Sequence, residues 1–285
     1  MNQQISTGKK LSYAMGGMSM NLTNLVISQW LFFLFVPDKK HALVPASLFG
    51  IYFMLGRVTD AVTDPLIGYW SDHLKSKRGR RIPFILWGLL PFALVYFLLW
   101  TPPIGHEHWI NSVYIIIMIQ LYFILYTVVI TPYLALIPEL SSDLKERINI
   151  TTMQAVFVMI GTLIFGFMGI IVKKGGFVTL GIMVSLLTIV SFAPTVLAIK
   201  EKEYKPQPER EKANVIKWVA MTLKNRPFLY LIVSTSFYWF GLNLLLMLIP
   251  FWVKNYLNLK VDAVAMLMLP FLGMNVVFFF VFNYL

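Results

Sequence analysis

Apolar residues along this chain fall into long runs separated by short polar connectors. A helix needs about 20 mostly apolar residues to cross the hydrocarbon core of a bilayer. Eight stretches satisfy that condition, near Leu11–Val36, Val44–Trp70, Ile82–Thr101, Trp109–Ile137, Ile148–Val172, Phe177–Ile199, Phe228–Val253 and Val261–Leu285. Their apolar positions show no period of two, which argues against a membrane β-barrel. Several contain Gly or Pro, which membrane helices tolerate because neighbouring groups re-satisfy the backbone. The first run is too long for the apolar core of a cleavable signal peptide, and no small-residue cleavage site follows it, so it is expected to stay as a helix.

Composition sharpens that picture. Apolar residues make up 58% of the chain, charged residues 13%, and mean hydropathy is +0.71. The charged share is about half that of ordinary soluble domains, too little to clothe a water-facing surface. Cysteine is absent, which excludes a disulfide framework and thiolate chemistry. The net charge of +11 could suit nucleic acid, but its distribution points to the membrane instead. Of the 24 Lys and Arg residues, 17 fall on one set of connectors and 6 on the other, with Arg57 inside a span. Cytoplasmic loops of membrane proteins collect such cations. The bias predicts a multi-pass protein of the cell membrane with a cytoplasmic N-terminus, and no nucleic-acid partner.

The longest polar stretch carries Pro206, Pro208 and a dense mixture of both charges. It reads as a cytoplasmic linker, and its charge also suits anionic lipid headgroups. The expected organisation is therefore a six-helix bundle over residues 1–199, a charged linker over 200–226, and two helices of a second bundle over 227–285. The chain ends inside an apolar run, so that second half is expected to be truncated.

Candidate chemistry concentrates on the second span. A charge inside the bilayer is costly and marks a functional site by default. Only Arg57, Asp60 and Asp64 lie well inside a span. Their spacing of three and four residues places them within about 60° of one another on a helix. Two carboxylates one turn apart disfavour each other's ionisation, and a proton or monovalent cation between them would relieve that repulsion. Arg57 would act as their charge partner. The other reading of the trio is an internal salt bridge that locks two helices together. An intramembrane aspartyl protease would need carboxylates converging from different segments, whereas these share one helix. No Ser/His/Asp set or phosphate-binding Gly loop is visible, and His106-Glu107-His108 reads as a wet outer loop rather than a metal site. The chain is therefore expected not to be an enzyme and to need no cofactor beyond a coupling ion.

A second motif follows at once: Gly68-Tyr69-Trp70-Ser71-Asp72, then Lys75, Lys77, Arg78, Gly79, Arg80, Arg81, Ile82 and Pro83. Cations and one carboxylate in a short turn can hold two helix ends together in one conformation and release them in another.

Gly68 to Arg81 resembles the loop between the second and third helices of the major facilitator superfamily. Arg57-x-x-Asp60-Ala61-x-x-Asp64-Pro65-x-x-Gly68 resembles the signature of the glycoside–pentoside–hexuronide:cation symporters, the melibiose-permease-like family. Lys10-Leu11-Ser12-Tyr13-x-x-Gly16 and the fourth-span segment Tyr126-Thr127 through Pro132-Tyr133 to Pro138 resemble the same family. The resemblance implies an all-α membrane protein with a major-facilitator-type helix bundle, and about four further spans beyond Leu285. It implies a cation site at Asp60 and Asp64, where Na⁺ could bind, with an oxygen from Thr127 on the fourth helix. Thr63 stands where the family has asparagine, which leaves Na⁺ versus H⁺ open. It implies a gating loop through Gly68, Asp72, Arg80 and Arg81. The sugar site transfers poorly. Asn21 and Gln154 stand in place of a family aspartate and arginine, Ile130 and Leu134 in place of an aspartate and tryptophan, and Tyr126 is retained. Asn and Gln still donate and accept hydrogen bonds, as a sugar pocket requires.

The expected function is cation-coupled (Na⁺ or H⁺) symport of a small-molecule solute, a sugar or glycoside, by alternating access in a monomer within the lipid bilayer. The same pattern extends to animal lysolipid symporters, so a lysolipid or other amphipathic solute is the alternative. A non-transporting receptor or scaffold is the reading from another class, and it would not need a charged stripe at mid-bilayer.

Overall fold

The structure is a computed structural model that describes residues 5–37, 41–74, 76–201 and 224–257, together with 270, 273, 274 and 277. The chain divides into two compact units, Met1–Lys205 and Pro206–Leu285. Most of the charged linker and of the eighth apolar run lies outside the described residues.

In the first unit, α1 (Thr7–Ala14) passes through Met15, itself in helical conformation, into α2 (Gly16–Phe35). The chain continues through α3 (Ala46–His73), α4 (Ile82–Leu98), α5 (Trp109–Ala135), α6 (Ile137–Leu140), α7 (Leu144–Gly166) and α8 (Met168–Ala198). In the second unit α9 covers Arg226–Asn255. Pro227 sits in its first turn, where a missing N–H costs nothing. Among the described residues, four helical stretches are long and apolar enough to cross a membrane: Thr7–Phe35, Trp109–Leu140, Leu144–Gly166 and Met168–Ala198. At 28 residues α3 has the length but carries the charged trio, and α4 is apolar but only 17 residues long.

Three boundaries differ from the sequence reading. The second helix runs past Trp70 to His73, so Gly68 and Asp72 are helical and only residues 74–81 connect it to α4. Nothing in the polar composition of Ser71-Asp72-His73 announces this. Ser71 continues the helix by returning its hydroxyl hydrogen to the Gly68 carbonyl at 3.0 Å. The fifth pass does not stop at Val172. The helix kinks at Phe167 and continues until Gly176, whose φ of 75° and ψ of 179° interrupt α8 internally. A positive φ is a conformation glycine adopts without strain, so the Lys173–Gly176 segment reverses through that one residue. The third apolar run ends at Leu98 rather than Thr101.

In the first unit α2 packs against α7 and α8, α5 packs against α3 and α4, and α4 packs against α8. Small residues allow these approaches, as in membrane bundles generally. A Cβ on Gly161 of α7 would lie 2.6 Å from the Met18 carbonyl oxygen of α2, so the two backbones touch there. Hydroxyls stitch α8 to the first helix: Ser19 donates to Leu187 O at 3.1 Å, Ser191 to Met15 O at 2.5 Å, and Thr195 to Ser12 O at 2.9 Å. Tyr13 and Tyr133 stack at 4.5 Å and each donates its hydroxyl to the other's carbonyl, at 3.2 and 2.8 Å. Large side chains such as Trp87, Leu90 and Leu94 of α4 and Leu186 and Leu197 of α8 point outward, the placement expected of lipid-facing positions.

Gly161→Val is expected to push α7 off α2 and to cost about 1–3 kcal/mol by overpacking. A lowered thermal unfolding temperature in detergent, against an unchanged Gly8→Val control in open space, checks it.

Candidate functional site

The candidate site is a ladder of side chains across the seam between α3 and α5. Residues 59, 60, 63 and 64 lie on adjoining turns of α3, and 120, 127 and 131 lie at spacings of seven and four on α5, so each set forms one stripe. Thr127 donates its hydroxyl to Asp60 Oδ1 at 2.9 Å, and Thr131 donates to Asp64 Oδ1 at 2.7 Å. Thr63 reaches Thr127 Oγ1 at 3.2 Å while returning to the carbonyls of Thr59 and Asp60. Thr59 donates to Gln120 Oε1 one turn further along. Gly56, one turn beyond that, has no room for a side chain, because a Cβ would meet Ile119 and Phe123. The helices therefore come close at Gly56, and the threonines continue the contact as hydrogen bonds.

The predicted cation residues Asp60, Asp64, Thr63 and Thr127 thus share one seam. Thr127 is buried, Asp60 and Thr63 are half-buried, and Asp64 is exposed. Their donor set is two carboxylates and two hydroxyl oxygens, all hard ligands that suit a hard cation. Among the described residues, no group of three or more His, Asp or Glu side chains could hold a metal ion. Thr131, Thr59 and Gln120 complete the ladder and were not picked out from the sequence. Their only signal there is their spacing on α5 and α3, which carries no weight until the two helices are known to touch.

Arg57, expected as the charge partner of the two carboxylates, makes its hydrogen bonds on α2. It forms no ion pair with Asp60 or Asp64. Its Nη2 donates to Asn24 Oδ1 at 3.2 Å and Ser28 Oγ at 3.4 Å on α2. The guanidinium lies 4.9 Å from the Phe123 ring centre and 5.5 Å from that of Phe53, within cation–π range. Its backbone lies three positions before Asp60 on α3, and its long side chain extends toward α2.

The three residues expected to touch substrate are engaged inside the bundle. Asn21 donates to Val158 O at 3.1 Å and Thr162 Oγ1 at 2.8 Å on α7. Gln154 is buried and donates to Tyr133 Oη at 3.2 Å. Tyr126 donates to Met20 O at 3.4 Å and packs against Phe92 and Tyr122. Ile130 is buried, whereas Leu134 is exposed.

Most of the residues expected to form a gating loop meet at the end of the unit where α3 finishes and α4 begins. Arg81 donates to Asp72 Oδ1 at 2.7 Å and to the Ala135 carbonyl, and its Nη1 lies 3.1 Å from Glu139 Oε1. Arg80 pairs with Glu139 through Nε at 2.7 Å and through Nη2, and its Nε is 4.0 Å from Asp72. Gly68 lies on α3 outside this cluster, where an added Cβ would come within 3.9 Å of Thr131. Glu139 of α6 is the counter-charge that sequence reasoning missed. Nearby, Glu146 of α7 accepts from Ile5 N at 2.8 Å and Ser141 Oγ at 2.6 Å and pairs with Lys10 at 3.0 Å, tying the N-terminal segment down. His108 caps α5 by accepting from Ile110 N at 3.2 Å, a structural task that accounts for one imidazole of the His106–His108 connector.

Residues 12–285 match the family described as MFS/sugar transport protein. The chain is 32% identical over 224 residues to the uncharacterized symporter sll1374 of Synechocystis, which covers 72% of this chain and 40% of that protein. It is 24% identical over 247 residues to the isoprimeverose transporter of Lactiplantibacillus pentosus, covering 82% of this chain and 50% of that protein. It is 31% identical over 166 residues to the sodium-dependent lysophosphatidylcholine symporter 1 of Mus musculus, covering 57% of this chain and 30% of that protein. The chain spans half or less of the length of each of these relatives.

Thr127→Val and Thr131→Val each remove one rung at constant shape. An interhelical hydrogen bond in a membrane bundle contributes about 0.6 kcal/mol on average, and stranding a buried carboxylate oxygen costs about 1–3 kcal/mol. Thr127→Val is therefore expected to destabilise the protein more than Thr131→Val, read as the ordering of their thermal unfolding temperatures.

Proposed function

The chain belongs to the MFS/sugar transport protein family, and on that premise we propose that it couples the movement of a sugar or glycoside to a monovalent cation, Na⁺ or H⁺, by alternating access. The observation that carries this reading is the α3–α5 ladder. Two carboxylates stand one turn apart in an apolar helix pair, and their arginine neighbour is turned toward α2. Asp60 and Asp64 would hold the cation, with hydroxyl oxygens from Thr63 and Thr127. A bound cation supplies the positive charge that offsets the paired carboxylates. Thr127 and Thr131 orient the carboxylates across the seam, and Arg57 holds α3 against α2. A relative named as a sugar transporter supports the solute class. We read the chain as a transporter rather than an enzyme, with no other cofactor.

A lysolipid is the second reading. It is favoured by the likeness to a sodium-dependent lysophosphatidylcholine symporter and by the exposed apolar side chain of Leu134.

Asp60→Asn and Asp64→Asn keep shape and hydrogen bonding but remove one charge each. Each is expected to abolish gradient-driven accumulation while leaving membrane insertion intact. Uptake of labelled sugars and lysolipids into vesicles, with imposed Na⁺ or H⁺ gradients, measures this and separates the two solute classes. Folded variants that accumulate solute as the unaltered protein does would overturn the cation assignment.

The uneven distribution of cations among the connectors supports a cytoplasmic N-terminus in the plasma membrane. A reporter fused after Lys212 is expected on the cytoplasmic side and one inserted near Glu107 on the outside. The reverse pattern at both positions overturns the orientation.

A further inference from the structure

The residues expected to bind solute have spent their donors inside the bundle. Both amide hydrogens of Asn21 go to α7, and the one hydroxyl hydrogen of Tyr126 goes to Met20 O. Gln154 is buried against Tyr133. A hydroxylated solute needs donors that are not already committed, and Arg57 has them. Its contacts on α2 use one nitrogen, Nη2, whose hydrogens go to Asn24 Oδ1 at 3.2 Å and Ser28 Oγ at 3.4 Å. A guanidinium carries five N–H groups. The Nε–H and both Nη1–H groups are therefore left without an acceptor among the described residues.

The rest of the surroundings hold that guanidinium in place and leave it open. Ser28 passes its own hydrogen to Asn24 Oδ1 at 3.3 Å, and the Phe53 and Phe123 rings lie within cation–π range. Arg57 and Ser28 are both exposed, and so is Ala61, one turn further along α3 and with no side chain beyond Cβ. A charged group exposed within an apolar span does not face lipid; it faces water or a polar partner. Building on the cation-symport reading above, we propose that Arg57, oriented by Asn24 and Ser28, is a solute-binding residue that donates its free N–H groups to the oxygens of an uncharged sugar.

Charge balance sets the solute class. Asp60, Asp64 and Arg57 together leave one negative charge over, and a single bound monovalent cation cancels it. An uncharged solute keeps that balance. An anionic solute upsets it by a full charge within a span, where unpaired charge is costly. Arg57 lies three positions before Asp60 on α3, so the contacts to cation and to solute belong to one helix.

The absence of cysteine permits single-cysteine variants in lipid vesicles. Ser28→Cys is expected to react readily with a membrane-impermeant methanethiosulfonate. Trp87→Cys, on the outward face of α4, is expected to react about tenfold more slowly, because a thiol ionises poorly in apolar surroundings. The sugar probe comes from a labelled panel of neutral glycosides that includes isoprimeverose, the sugar for which one relative is named. It is the member that the unaltered protein accumulates under an imposed Na⁺ or H⁺ gradient. That sugar is expected to protect Ser28→Cys from the reagent, whereas the cation alone does not. Arg57→Lys keeps the charge but loses the planar set of donors. It is expected to raise the KM for the sugar about ten- to a hundredfold, with cation affinity measured without sugar unchanged. Absence of protection by the sugar overturns the solute site while the transport reading stands, and so does an unchanged KM in Arg57→Lys. Equal protection by the matching hexuronide overturns the uncharged class. Failure of the unaltered protein to accumulate any sugar overturns the transport reading itself, and this site with it. Should Arg57→Lys not insert, protection of Ser28→Cys decides alone.

Discussion

A carboxylate held between apolar helices must find a hydrogen-bond donor, and Asp60 finds its donor on a different helix from its own. That requirement constrains much of the first unit. The donor, Thr127, is buried on α5, so α3 must lie close against α5 along this turn. Gly56 permits the approach one turn earlier, and Thr131 continues it one turn later for Asp64. Arg57, on the same face of α3, engages Asn24 and Ser28 and so holds α3 against α2 as well. One charged stripe thereby fixes α3 between two neighbours. In a medium where apolar side chains gain little from meeting one another, such polar contacts and close backbone approaches supply the specificity of packing.

The polar residues divide into two kinds by what they bond. Ser19, Asn21, Gln154, Ser191 and Thr195 direct their hydrogens to fixed partners inside the bundle. They hold helices together and offer few free donors to a solute. The ladder residues and the arginine cluster are different, because both contain carboxylates. Asp60 and Asp64 each accept a threonine hydroxyl from α5, and Glu139 pairs with Arg80 and Arg81. The two systems occupy different places on the α3–α4–α5 framework, one along the seam and one at its end.

Much of this could be read from the sequence. The apolar runs located α2 to α5 and α7 to α9, because crossing a bilayer demands length and hydrophobicity that short-range statistics record directly. The stripe of Arg57, Asp60 and Asp64 was visible because helical periodicity places them on one face whatever the fold around them. The family match covers residues 12–285. Helix ends were less legible: Ser71-Asp72-His73 reads as a turn by composition but continues α3, and Gly176, not the paired lysines before it, makes the break in α8.

Tertiary structure alone decided the partners. Thr131, Thr59 and Gln120 gain meaning only once α5 is seated on α3, and Glu139 only once α6 arrives at the α3–α4 connector. Arg57 shows the limit most sharply. Its spacing from Asp60 allows an ion pair along the helix, but a flexible side chain can equally turn toward α2, where Asn24, Ser28 and two aromatic rings receive it. Sequence determined which residues are charged and which face of a helix they share. It could not determine which of several reachable partners each would take, because that choice depends on contacts between helices far apart in the chain.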